Sequence, residues 1–104
     1  MAEKKYNSSS QERGYRVLLL LAGHEFDGLA PGQLAEALKT NPSNITRDLR
    51  VLQEVGLAEP LPTDQRRWRL GPKLIQVATQ FQQSLTEIKR RADEVQQRYT
   101  RTPS

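Results

Sequence analysis

Ser43, Asn44, Thr46, Arg47 and Arg50 fall together in the stretch NPSNITRDLRVLQEVGL, Asn41 to Leu57. Ile45, Leu49 and Leu52 recur there at helical spacing and define one apolar face. Ser43, Arg47 and Arg50 lie opposite that face, with Asn44 and Thr46 on its flanks. Thr40 or Asn41 can cap the helix, Pro42 is tolerated in its first turn, and Gly56 suits a left-handed stop. Two guanidiniums, hydroxyls and an amide near one helix N-terminus match the donors and acceptors of base edges and phosphates in a DNA major groove. An ordinary amphipathic surface helix shares this pattern, so the neighbouring segments must decide.

A second basic cluster follows. LAEPL reads as a short strand, PTDQ as a turn, and RRWRL alternates Arg67 and Arg69 against Trp68 and Leu70. The resulting hairpin carries Arg66, Arg67 and Arg69, three guanidiniums suited to phosphates or a minor groove. Helix and hairpin would then present the same charge on one side.

The rest of the chain narrows the chemistry. At 104 residues it has room for one modest core. A formal net charge of +4 and a pI of about 9.8 favour a polyanionic partner. There is no cysteine, hence no disulfide framework or thiolate metal site. His24 is the sole histidine, in a turn-rich loop beside Glu25 and Asp27. That leaves no transition-metal cluster, and no Gly-rich phosphate loop follows a strand. No enzyme activity, cofactor, metal or small-molecule ligand is expected. The longest apolar run, Val17 to Ala22, is too short for a membrane, and MAEKKYNSSS lacks a signal-peptide core. A cytoplasmic protein is expected.

The elements that must position these residues can be read in order. Residues 1–8 form a flexible arm with Lys4 and Lys5. Ser9 and Glu12 have capping-box spacing and open a helix that runs to about Ala22, with Gly23 as its stop. Leu18 to Leu21 is apolar nearly all round, as in a central core helix or one also covered by another chain. Gly28 to Ala30 could form a very short strand. Pro31 opens a second helix with Leu34, Ala35 and Leu38 inward, and Lys39 to Asn41 turn into the basic helix. Two short helices so joined, the second with a polar outer face, form a helix-turn-helix, and the hairpin is its wing.

From Pro72 onward, Leu74, Ala78, Phe81, Leu85, Ile88, Ala92, Val95 and Tyr99 recur at alternating spacings of four and three. They form a heptad seam on a helix of about 40 Å. Its flanks, Gln82, Ser84, Lys89, Arg91, Gln96 and Arg98, are neutral or basic. The helix either folds back over the first helix or pairs with a second copy. Pairing through Phe81, Leu85, Ile88, Ala92 and Val95 is expected, with its direction open.

GLAPGQLAEALKTNPSNITRDLRVLQEVGLAEPLPTDQRRWRLGPKL resembles the winged helix-turn-helix DNA-binding domain of IclR-type transcriptional regulators. The resemblance rests on Leu34-Ala35-Glu36, Leu38, Ser43, Ile45, Arg47, Leu49, Leu52, Gly56-Leu57 and Trp68-Arg69-Leu70-Gly71. Ala30 replaces the family's frequent capping hydroxyl, Lys39 its frequent Gly, and Asp48 an apolar residue. Asp48 is expected to pair with a nearby arginine, on the next turn or on the wing. The wing turn lacks its usual Gly. No counterpart of the family's effector domain is expected in 104 residues, so its response to metabolites does not carry over. A winged domain followed by one long helix is also similar to small PadR-like or MarR-like architectures.

The expected fold is mainly α with a small β-wing, a winged helix-turn-helix plus a long C-terminal helix. Its parts are residues 1–8 as arm, 9–71 as DNA-binding domain, 72–99 as dimerisation helix and 100–104 as flexible tail. The resemblance implies a sequence-specific regulator of transcription, bacterial or phage-encoded and nucleoid-associated, that binds double-stranded DNA; pairing of two long helices implies a homodimer on an inverted repeat. An architectural DNA-binding protein and a winged-helix protein-interaction module are the alternatives.

Overall fold

Three helices, a two-stranded hairpin and a long final helix follow one another in the computed structural model, which describes residues 8–101. They are α1 (Ser9–Leu21), α2 (Pro31–Ala37), α3 (Pro42–Glu54), β1 (Ala58–Pro60), β2 (Trp68–Leu70) and α4 (Pro72–Thr100). The expected arm, apart from Ser8, lies outside the described residues, as does the end of the tail. Thr100, expected to belong to that tail, is the last residue of α4.

The capping box expected at Ser9 does not form. Ser8 takes the N-cap position without a side-chain bond, so Ser9 is already helical. Glu12 instead accepts from Arg16 one turn on, at 2.7 Å. Val17 and Leu21 are buried, Leu18 and Leu20 pack against the core, and Leu19 is 75% exposed. The apolar run is thus a core face plus one outward leucine.

Ala30 cannot cap α2 with a side-chain oxygen. Gln33 supplies half of the missing arrangement, its Oε1 accepting from the Ala30 N–H at 2.9 Å. Pro31 opens α2, and Leu34 and Ala35 are buried. The tight turn into α3 puts Lys39 at φ 55°, a left-handed conformation that favours glycine. Lys39→Gly should therefore raise stability by about 1 kcal/mol, measured as a higher urea midpoint at unchanged slope. An unchanged or lower midpoint would show that the turn is unstrained with lysine.

Asn41 is the residue that caps α3, its Oδ1 accepting from the Asn44 N–H at 2.9 Å. Ile45, Leu49 and Leu52 are buried with Val17, Leu21, Leu34, Ala35, Ala58 and Trp68 in one core. Each large apolar side chain there contributes roughly 1.5–3 kcal/mol by leaving water.

Gly56 ends the α3 segment at φ 80° and releases the chain into the hairpin. β1 and β2 are antiparallel, pairing Ala58 with Leu70, Glu59 with Arg69 and Pro60 with Trp68. The short strand considered at Gly28 to Ala30 is a single bridge, in which Leu29 and Trp68 exchange both backbone bonds at 2.9 and 2.8 Å. At the wing tip, Asp64 Oδ1 accepts from the Arg66 N–H at 3.0 Å, closing the turn without glycine.

Gly71 is buried where the wing leaves for α4. A Cβ there would overlap the Gly56 carbonyl oxygen and stand 2.9 Å from the Ala58 nitrogen, both backbone atoms. Gly71→Ala should cost about 2 kcal/mol, because no flexible side chain can yield. A thermal scan checks this; a melting point equal to that of the unaltered protein would mean the backbone relaxes freely.

Two compact units divide between Leu74 and Ile75. Within α4 no residue is buried. Among the described residues, no helix is long and apolar enough to cross a membrane.

Candidate nucleic-acid interface

The apolar face of α3 turns four residues outward together: Ser43, Thr46, Arg47 and Arg50 are all exposed. Neither Arg47 nor Arg50 has an ion-pair partner among the described residues. The buried face is fixed by Ile45, Leu49 and Leu52, so the outward set is held by packing rather than by contacts of its own. Of the outward set, Ser43 stands in the first turn, where the positive end of the helix dipole also favours phosphate oxygens.

Asn44 sits differently from the other expected contacts. It is half-buried, with its Nδ2 donating to Thr40 Oγ1 at 2.9 Å and its backbone N–H bound by Asn41. Its side chain braces the start of α3.

Asp48 is buried in α3, and its partner is neither on the next turn nor on the wing. Arg13 of α1 donates to it from Nε at 2.6 Å and from a terminal nitrogen at 3.0 Å. The two side chains are 19% and 7% exposed, so this fork pairs charges largely removed from water. The hydrogen bond to Asp48 holds the Arg13 guanidinium even more firmly protonated than usual, against a smaller effect of burial. The pair ties α3 to α1 beside the outward face. A sequence signal for it existed: Arg13, Val17 and Leu21 are spaced by four, so Arg13 shares the buried face of α1.

The wing arginines divide in two. Arg66 is 90% exposed and reaches only Asp64, at 3.2 Å. That contact lowers the Asp64 carboxyl below its ordinary value. Arg67 instead donates inward to the carbonyl oxygens of Asp27 and Gly28, at 2.6 and 2.9 Å. Arg69 pairs with Glu59 on the facing strand at 3.2 Å and donates to the Glu25 carbonyl at 3.4 Å. Arg67 and Arg69 therefore staple the loop before α2 to the wing, a use that residue type and strand alternation did not reveal. Their guanidiniums are not the open row expected from RRWRL. Alanine at Arg67 should lower stability by about 1–2 kcal/mol by leaving two carbonyls without their charged donor, whereas alanine at Arg66 should change it by less than about 0.5 kcal/mol. Parallel urea titrations test the contrast, and equal losses would contradict it.

His24 lies in the same loop, its Nδ1 3.1 Å from the Asp27 carboxylate. This bond lowers the Asp27 carboxyl from its ordinary value.

Comparison with known proteins places this geometry. A family model described as a helix-turn-helix domain matches residues 15–60. An IclR transcriptional regulator from Alicyclobacillus acidocaldarius is 32% identical with a TM-score of 0.62, over 71% of this chain and 29% of its own. The present chain thus spans less than a third of that regulator. ZitR of Lactococcus lactis, solved in complex with DNA, is 25% identical over 90% of this chain and 66% of its own, with a TM-score of 0.52. A MepR mutant from S. aureus, bound to an oligodeoxyribonucleotide, is 25% identical over 80% of this chain and 62% of its own, with a TM-score of 0.50. No curated protein matches the chain. The helix pair, the hairpin that follows it and these likenesses agree: the chain carries a winged helix-turn-helix DNA-binding domain.

Proposed function

We propose that the protein is an IclR-like, sequence-specific regulator of transcription that acts in the bacterial cytoplasm as a homodimer on an inverted-repeat site in double-stranded DNA. The observation that carries this reading is the exposed set Ser43, Thr46, Arg47 and Arg50 on α3, whose two arginines have no ion-pair partner among the described residues. In this reading α3 enters the major groove, Arg47 reads a base edge, and Ser43, Thr46 and Arg50 fix the register on bases and phosphates. Asn44 positions the helix start. Arg66 at the wing tip takes a phosphate or the minor groove, while Arg67 and Arg69 hold the wing in place. The second copy is recruited by Phe81, Leu85, Ile88, Ala92 and Val95 of α4. No catalytic step, cofactor or metal belongs to this function.

Selection from a random duplex library at two salt concentrations tests it. The expected result is an enriched inverted repeat that persists at the higher salt. Salt-sensitive retention without enrichment would replace this reading with an architectural role. Loss of retention at both salts would move the function to a protein partner.

A further inference from the structure

The α4 seam carries a size pattern as well as an apolar one. Along it, Leu74, Phe81, Leu85, Ile88, Val95 and Tyr99 are bulky, while Ala78 and Ala92 are small. Phe81, Ile88, Val95 and Tyr99 are exposed, Phe81 by 70% and Ile88 by 64%. A parallel, in-register pair would set Phe81 against Phe81 and each alanine against itself, giving overpacking beside voids.

An antiparallel pair centred between Thr86 and Glu87 removes this conflict. It matches Leu85 with Ile88 of the second copy, Phe81 with Ala92, Ala78 with Val95 and Leu74 with Tyr99. All eight seam residues then find partners, and each alanine faces a larger residue. The flanking charges agree. Arg91 meets Ser84 and Lys89 meets Gln82, while the stems of Arg98 and Gln96 lie over the exposed Val77 and Ile75.

Neighbouring registers fail on the same grounds. A shift of one heptad toward the C-terminus sets Lys89 against Lys89 and Arg91 against Arg91. The opposite shift strands Val95 and Tyr99 and faces Phe81 with Leu85. Like charges at flanking positions are the usual means by which paired helices reject a wrong register. The acidic groups do not alter this, because Glu87 binds Arg90 and Arg91 of its own helix, and Glu94 binds Arg90.

We infer that α4 pairs with α4 of a second copy in antiparallel direction, in the one register centred between Thr86 and Glu87. This rests on the homodimer proposed above and specifies its direction and alignment.

The chain has no cysteine, so introduced thiols report alone. Ala78→Cys, Val95→Cys and the double variant are oxidised and run on non-reducing gels, beside sedimentation velocity of the unaltered protein. In one helix residues 78 and 95 are about 25 Å apart, which excludes an internal disulfide. The expected result is covalent dimer from the double variant and from mixed singles, and none from either single alone. Singles that link to themselves, with nothing gained by mixing, would overturn the antiparallel direction and leave the homodimer standing. Sedimentation as a dimer without any crosslink would overturn the α4 alignment alone. A monomer that never crosslinks would overturn both.

Discussion

Asp48→Ala is expected to destabilise the protein by about 3 kcal/mol, at the lower end of what removing one partner of a buried ion pair costs. The cost arises less from the lost fork than from what stays behind, an Arg13 guanidinium 19% exposed and deprived of its acceptor. The lower end of the range applies because Arg13 can partly regain water. Chemical denaturation gives the number, and a midpoint equal to that of the unaltered protein would show that the fork contributes nothing. Replacing both partners, Arg13→Met with Asp48→Leu, should restore most of the loss, because an apolar pair of similar volume needs no compensation. The comparison separates fold from recognition. If the double variant is stable yet binds DNA less well, the fork serves to aim α3 rather than to hold it.

Arg47→Ala should leave stability within about 0.5 kcal/mol of the unaltered protein, since Arg47 is exposed and has no ion-pair partner among the described residues. It should instead weaken binding to the selected site by about 1–3 kcal/mol, or roughly 5- to 150-fold, and relax preference at one base position. Arg66→Ala is the control of the opposite kind, weakening all sequences alike and reducing the salt slope by about one. Affinity measured on the selected site and on single-base variants decides. An Arg47→Ala protein that keeps both affinity and preference would place the base-reading contact elsewhere on α3.

The helices and the wing were legible because local signals coincide there. Pro31 and Pro42 open helices, Gly56 ends one, and Ile45, Leu49 and Leu52 keep one period over the same stretch. The outward residues of α3 follow from that period almost automatically. What escaped was tertiary. The roles of Arg67 and Arg69 depend on where the Glu25 to Gly28 loop passes, and strand alternation says nothing of a loop some 40 residues earlier. The partner of Asp48 lies neither on the next turn nor on the wing, because Arg13, 35 residues away in sequence, shares the buried face of α1 that packs on α3. The capping box at Ser9 failed by one residue, since any of the serines 8 to 10 can open a helix.

Trp68 links two regions often treated as separable. It is the second wing strand's first residue, it is buried in the same core as Val17, Leu21 and Leu49, and its backbone is bridged to Leu29. A strand anchored this way cannot fray without exposing the centre of the core, so wing and helices form one cooperative opening unit. The amides of Leu29 and Trp68 should therefore exchange in the slowest class, with fast exchange expected at the wing tip, Thr63 to Arg66. Exchange at Leu29 and Trp68 should then report opening of the whole domain, because the strands beneath the tip are expected to open only with the core.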